Sequence, residues 1–264
     1  MKLGFIGTGN MASAIMGGII KNEVIPAEEI IGADLFAPGR ERVQKQFGIH
    51  VTDSNKEVVK QAEVMILSVK PQFYEDVINE IKDDIKENQI VITIAPGKTL
   101  SWLAEKFGKP VKLVRTMPNT PAMVGEGMTA ACPNEHMTKD EIEYVKTLLE
   151  SFSQVEIVPE RLMDAVVAVS GSSPAYVFVL IEAMADAAVS GGMPRPQAYK
   201  FAAQAVLGSA KMVLETGKHP GELKDMVCSP AGTTIEAVRV LEERGFRSAI
   251  FEAMKVCEEI SRSM

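Results

Sequence analysis

The sequence predicts a doubly wound α/β sheet domain over residues 1–160, followed by an all-α domain over residues 161–264. Three observations carry this reading. Short apolar runs alternate with amphipathic stretches through the first half of the chain. A glycine-rich turn stands between the first apolar run and the first helix. Strand signals stop after about residue 160, where Ala-, Gly- and Met-rich stretches take over. At 264 residues the chain is long enough for two domains of ordinary size.

Taken in order, residues 2–6 (KLGFI) read as a buried strand, Gly7 to Ala12 as a turn opening into a helix, and that helix runs to about Lys21. Strands follow at 30–33 (IIGA) and 64–69 (VMILSV), then a helix from about Phe73 to Lys82, then strands at 89–94 (QIVITI) and 111–116 (VKLVRT). These runs are apolar throughout rather than alternating, as expected of parallel strands covered on both faces. In the second half, 174–190 (PAYVFVLIEAMADAAVS) reads as a helix with Ser173 as N-cap and Pro174 as first residue. Gly191 and Gly192 end it, and Pro194 and Pro196 open another that runs to about Glu215 before Gly217. A short segment near 220–228, a helix from Thr233 to Glu243 and a last one from about Arg247 complete the chain. The helix at 174–190 is apolar on nearly every face, which a surface helix does not tolerate. The residues leave two readings open: the centre of a monomeric bundle, or a helix covered by a second subunit.

Composition narrows the function classes. Hydrophobic residues make up 46% and charged residues 24%, the balance of a soluble globular protein. The net charge of −7 speaks against nucleic acid and against an anionic membrane surface as partners. No unbroken apolar run of about 18 residues and no signal-peptide layout stands out, so a cytoplasmic protein with nothing removable ahead of the fold is expected. Three scattered cysteines (Cys132, Cys228, Cys257) and three dispersed histidines form neither a disulfide framework nor a metal-ligand spacing, so no metal site is expected.

The turn Gly7-Thr8-Gly9-Asn10-Met11-Ala12 fits GxGxxA directly after a strand and at the start of a helix, the Rossmann context. There Gly7 allows the tight turn, Gly9 lets backbone approach a pyrophosphate, and Ala12 keeps helix and strand close. The helix N-terminus supplies free N–H groups to phosphate. Asp34, 22 residues beyond Ala12, stands where an acid accepts from the ribose hydroxyls, and taken alone it favours NAD over NADP. Arg40 and Arg42 lie just downstream; they read either as a solvated helix face or as ligands for a 2′-phosphate. Ser68-Val69-Lys70-Pro71, Ala95-Pro96-Gly97 and Met117-Pro118-Asn119-Thr120-Pro121 close later strands, at the end of the sheet where ligands sit. Asn119, held between two prolines, both donates and accepts.

Two stretches of the helical half are dense in hydroxyls and glycine: Ser170 to Tyr176 (SGSSPAY) and Ser229 to Thr234 (SPAGTT). Each is expected to be a tight turn delivering free N–H groups at a helix N-terminus, suited to a carboxylate. Simple helix capping is the competing reading of each.

The segments GFIGTGNMA, SVKP, MPNTP, SGSSPAYVF, GGMPR and HPGELKDMVCSPAGTTIEAVRVLEERGFR occur in this order, and with them the chain resembles the pyrroline-5-carboxylate reductases from end to end. The resemblance implies reduction of the C=N bond of 1-pyrroline-5-carboxylate by NADPH or NADH to give L-proline. It also implies a helical domain that builds a homodimer, in some members a decamer. Carried over by position, Ile6, Gly7, Thr8, Gly9, Asn10, Met11, Ala12, Asp34, Asn55, Ser68, Val69, Lys70, Pro71, Pro96 and Asn119 fall at the cofactor. Glu160, Ser229, Gly232, Thr233 and Thr234 fall at the substrate, with Thr234 as hydrogen-bond partner of the ring nitrogen. Two departures stand out: Ala231 where the family has glycine, which predicts a turn set slightly differently, and Pro96, which removes a backbone donor. A β-hydroxyacid dehydrogenase would share the plan but place a catalytic lysine on a helix of the second domain. Lys200, Lys211 and Lys224 lack that setting. A non-catalytic dinucleotide-binding protein would leave the Ser229–Thr234 turn without a purpose.

Overall fold

A computed structural model describes residues 2–263. The first part of the chain runs β1 (Leu3–Ile6), α1 (Asn10–Lys21), β2 (Ile30–Ala33), α2 (Ala37–Phe47), β3 (His50–Thr52), α3 (Asn55–Gln61), β4 (Val64–Leu67) and α4 (Tyr74–Ile81). It continues through β5 (Ile90–Thr93), α5 (Leu100–Phe107), β6 (Lys112–Met117), β7 (Gly127–Pro133), α6 (Lys139–Glu150) and β8 (Ser153–Ile157). Then come α7 (Met163–Val166), a π-helical turn Val167–Gly171, α8 (Ser173–Ser190), α9 (Arg195–Thr216), α10 (Pro220–Val227), α11 (Thr233–Glu243) and α12 (Phe246–Arg262).

The eight strands form one sheet in the order β3-β2-β1-β4-β5-β6-β7-β8. All neighbours are parallel except β6 and β7, which pair antiparallel. A parallel β7 would need a crossover of roughly a dozen residues or more; the segment Asn119–Gly125, folded around a 3₁₀ turn (Thr120–Val124), reverses the chain instead. The sheet is therefore mixed rather than wholly parallel. Side chains alternate along β1: Leu3 and Phe5 enter the core on the α1 face, and Ile6 the core on the α3–α4–α5 face. Gly4 is required by the second face, because a Cβ there would collide with the Val58 side chain of α3. Full burial of Leu3, Phe5 and Ile6 contributes about 1.5–3 kcal/mol each.

The order reverses between β1 and β4. The chain leaves β1 towards β2 and β3, then returns to place β4 on the other side of β1. The crevice at the carboxyl ends of these two strands is where open α/β sheets hold their ligands.

By compactness the chain divides into residues 1–172 with 257–264, and residues 173–256. The line expected at 160/161 falls just after the last strand, where helical chain begins. The final residues join the first unit: Ser261, nearly fully buried, donates to Asp164 Oδ1 at 2.7 Å. In the second unit α8 and α9 pack as a hairpin through small residues, with Ala185, Ala198 and Ala202 buried. Ala185 is the one buried residue among the 18 of α8, while Phe178 and Val179 stand 60% and 65% exposed. Within its own unit, therefore, the apolar helix is left largely uncovered.

The stretch Glu160–Ser190 is also long and apolar enough, by length and composition alone, to cross a membrane, with a mean hydropathy of 1.6 over its most apolar 18 residues. No such run is evident in the sequence because serines and glycines break its apolar residues. Helical continuity joins them. The Ser170–Tyr176 turn expected ahead of α8 is itself helical, with Ser172 N–H donating to the Val167 carbonyl at 2.8 Å. Pro174 explains the altered register, since it has no N–H to give the Ser170 carbonyl one turn back. That carbonyl accepts from Asn119 Nδ2 at 3.0 Å instead.

Candidate functional site

A cleft of about 530 Å³ opens at the reversal point. Its floor is the turn after β1. Gly7 has φ +98°, and a Cβ on it would lie 2.7 Å from the Ser68 carbonyl oxygen, so only glycine fits. Gly9 has a Cβ position with nothing within 4 Å, which leaves its backbone open to a bulky ligand. As N-cap of α1, Gly9 offers no side chain to the first-turn N–H groups, and no side-chain cap is made. Those donors point outward, the condition for binding a phosphate.

One wall is Ala33 to Phe36, after β2. The other is Ser68 to Lys70, after β4, with Phe73 and the α4 residues Asp76, Val77 and Glu80. Ser68 Oγ donates to the Gly7 carbonyl at 2.7 Å, tying the two strand ends together. Behind it, the buried Tyr74 hydroxyl donates to the Leu67 carbonyl at 2.5 Å and accepts from Thr93 Oγ1 at 3.1 Å. Burial pushes this phenol up to about 12. Leu35, Phe36 and Phe73 line the cleft with exposed apolar side chains. The carboxylate of Asp34 is fixed within the cleft: Oδ2 accepts from Thr8 N at 2.8 Å and Thr8 Oγ1 at 2.9 Å, and Oδ1 from Phe36 N at 2.9 Å.

Of the residues expected at a cofactor, the structure gathers Gly7, Gly9, Asp34, Asn55, Ser68, Val69 and Lys70 around this cleft. Thr8 is buried against Asp34, and Asn10 lies exposed at the start of α1. The side chains of Ile6 and Ala12 are buried in the core, and Met11 packs against it half-buried. Pro71 opens the 3₁₀ turn Pro71–Phe73 that bends the chain away from β4. Pro96 sits half-buried in the loop after β5. Asn119 spends its amide within the protein, on the Ser170 carbonyl and on Met128 N–H at 2.9 Å. Missed from sequence were Leu35, Phe36, Phe73, Asp76 and Glu80; Asp76 and Glu80 are one turn apart on α4, a spacing that any solvated helix face also shows.

Glu160 Oε1 accepts from Leu100 N at 2.7 Å and from Arg115 Nη1 at 2.9 Å. This pair ties the chain after β8 to the centre of β6, with the Arg115 side chain only 6% exposed. Burial, reinforced by Glu160, pushes the neighbouring Cys132 thiol up, the state of an unreactive thiol.

In the second unit, the turn 229–232 delivers the N-terminus of α11. Gly232 N–H donates to the Ser229 carbonyl at 3.0 Å, so that donor is spent inside the turn. A Cβ on Gly232 would displace the Ser229 hydroxyl from its position over the turn. Ala231 takes φ +54°, so the turn keeps the left-handed backbone and carries the strain rather than resetting. α11 has no side-chain cap, leaving its first-turn N–H groups open at Thr233 and Thr234. The hydroxyls of Ser229, Thr233 and Thr234 have no hydrogen-bond partner among the described residues. Together they form a small, uncharged donor set at a helix N-terminus, suited to a carboxylate.

Comparison with known proteins places both units. A family profile described as pyrroline-5-carboxylate reductase dimerisation matches residues 160–264, and one described as NADP oxidoreductase coenzyme F420-dependent matches residues 2–97. The pyrroline-5-carboxylate reductase of Escherichia coli is 52% identical over 267 residues, covering 100% of this chain and 98% of its own. The solved structure of a pyrroline-5-carboxylate reductase from Coxiella burnetii superposes with a TM-score of 0.92 at 33% identity, over 99% of this chain and 97% of that one. The Plasmodium falciparum pyrroline carboxylate reductase, solved with NADP bound, gives 0.91 at 31% identity, over 100% and 97%.

Proposed function

Since this chain belongs to the pyrroline-5-carboxylate reductase family, and is an NAD(P)H-dependent reductase that converts 1-pyrroline-5-carboxylate to L-proline, we propose how its residues divide the work. The cleft at the β1–β4 reversal holds the dinucleotide, with Gly7 and Gly9 beneath the pyrophosphate and the α1 N-terminus directed at it. Asp34 and Asn55 stand at the adenosine end, and Ser68 to Lys70 form the facing wall. The observation that carries this is the uncapped N-terminus of α1, set over a glycine whose Cβ position is empty. When bound, the reduced nicotinamide supplies a hydride to the imine carbon.

The substrate carboxylate is held by Ser229 Oγ and by the first-turn N–H groups of Thr233 and Thr234. The Thr234 hydroxyl hydrogen-bonds the ring nitrogen and keeps the proton there. A protonated imine is already a good hydride acceptor, so positioning accounts for most of what the protein must do. That is consistent with a turn free of charged side chains. Glu160 acts by anchoring, its carboxylate shared between Arg115 and Leu100, and Asn119 by holding the π-helical turn.

Residues 161–264 form the substrate-binding and dimerisation segment, and the exposed apolar face of α8 is covered by a second copy. On this reading the enzyme is a cytoplasmic homodimer, its apolar helix used between protomers rather than in a membrane. A Thr234→Ala enzyme is expected to lose about 10²–10³ in kcat, the usual cost of one transition-state hydrogen bond, while Thr234→Ser retains most of the rate. Wild-type kcat/KM in Thr234→Ala would remove that hydroxyl from the mechanism.

A further inference from the structure

We infer that this enzyme selects NADH over NADPH by occupying, with its own Asp34 carboxylate, the place that a 2′-phosphate would take. The inference rests on reading the cleft as the dinucleotide site and extends it to the second ribose. Three donors converge at that end of the cleft: Thr8 N, Thr8 Oγ1 and Phe36 N. All three donate to Asp34, at 2.8, 2.9 and 2.9 Å. An anion therefore already sits among the donors that would otherwise receive a phosphate. A carboxylate has about four lone-pair sites, and three are filled here. The remaining one accepts a hydrogen from a ribose hydroxyl. A 2′-phosphate brings up to about two negative charges and no hydrogen to give at neutral pH. The rest of the lining adds to the repulsion, because Asp76 and Glu80 face the same space and Lys70 is the one cation in the lining, among the described residues.

Arg40 and Arg42, which by position alone suit a 2′-phosphate, are committed elsewhere. Arg40 Nη1 donates to the Asp34 carbonyl oxygen. Arg42 Nη2 donates to the Thr8 carbonyl at 2.7 Å and to Ser13 Oγ at 3.2 Å. Each arginine grips the backbone of one member of the Thr8–Asp34 pair, and neither lines the cleft. They are positioning residues, holding the carboxylate in register with Thr8.

Equilibrium binding of NADH and of NADPH to the full-length protein, read from the rise in nicotinamide fluorescence, tests this without any turnover. NADH is expected to bind at least about tenfold more tightly, a modest share of what opposed like charges cost. Raising the salt concentration narrows the difference, because the repulsion is screened. Asp34→Ser frees Thr8 and Phe36 to donate, so the preference falls by at least about tenfold, with NADPH gaining affinity. Asp34→Asn moves in the same direction and serves if the serine variant does not fold. Arg42→Ala weakens both cofactors to the same extent. Equal binding of the two cofactors by the wild type overturns the inference, as does loss of NADPH binding alone in Arg40→Ala or Arg42→Ala. NADH selectivity without proline formation would count against the proposed function and leave this inference standing. Proline formation with equal cofactor binding does the reverse.

Discussion

Gly7 and Gly9 stand two residues apart on one turn, and alanine at either adds the same methyl group, yet the structure predicts opposite consequences. At Gly7 the backbone has φ +98°, and the new Cβ meets Ser68 O at 2.7 Å and Val69 N at 2.9 Å. Both are backbone atoms next to β4, so neither can swing aside. Positive φ in a residue other than glycine costs about 1–3 kcal/mol, and forcing an atom against packed backbone costs a similar amount. Gly7→Ala is therefore expected to lose about 2–5 kcal/mol of stability. At Gly9, φ −68° and ψ −169° suit alanine, and the Cβ meets nothing within 4 Å. The smaller entropy of the unfolded chain and the weaker N-cap oppose each other, so stability changes by less than about 1 kcal/mol. What changes is access to the donors behind the methyl group. Losing a charge-assisted hydrogen bond to phosphate costs about 1.5–3 kcal/mol, or roughly 10- to 100-fold in cofactor Kd. Urea unfolding at fixed protomer concentration and cofactor titration read the two effects separately. A Gly9→Ala protein with wild-type cofactor affinity, or a Gly7→Ala protein of wild-type stability, would refute the assignment of this turn.

Tyr74 ties β4 to β5 below the cleft, and Tyr74→Phe strands the buried Leu67 carbonyl at a cost of about 1–3 kcal/mol, read as a lower urea midpoint at neutral pH. Because burial raises this phenol from 10.0 to about 12, its contribution is complete below pH 10 and is lost as the pH rises towards 12. Tyr74→Phe should lack that alkaline decline. Ala231→Gly relieves the φ +54° strain and is expected to raise stability by up to about 1 kcal/mol with activity kept; a lower midpoint would show that the turn is not strained. Phe178→Glu, which places a charge on the exposed face of α8, should convert the assembly to protomers in sedimentation. An unchanged assembly would show that this face lies outside the interface.

Most of the fold can be read from the sequence wherever burial is two-sided. β2, β4 and β5 are continuous apolar runs, buried at every position, and nothing in their patterns competes with that reading. β3 and β8 lack this signal, because β3 is three residues at a sheet edge and β8 alternates buried with exposed positions. β7 (GMTAACP) is built of small residues that give no hydrophobic contrast. α6 begins at a capping box, Thr138 with Glu141, a four-residue motif that the strand and helix runs around it give no reason to single out. At the site, the glycines declare themselves through conformation, which is local. Asn119 and Glu160 do not, since their polar groups are claimed by Ser170 and Arg115, partners 51 and 45 residues away. The apolar character of α8 was plain, but only the protomer's own packing showed that it is left uncovered.

Both sites serve one reaction, delivery of a hydride from a bound nicotinamide to a cyclic imine acid. Purified enzyme supplied with 1-pyrroline-5-carboxylate and NADH, followed by loss of nicotinamide absorbance and chiral analysis of the product, tests it most directly. The prediction is that L-proline forms in step with NADH consumed. No proline with either reduced cofactor, or oxidation of 3-hydroxyacids in its place, would contradict it.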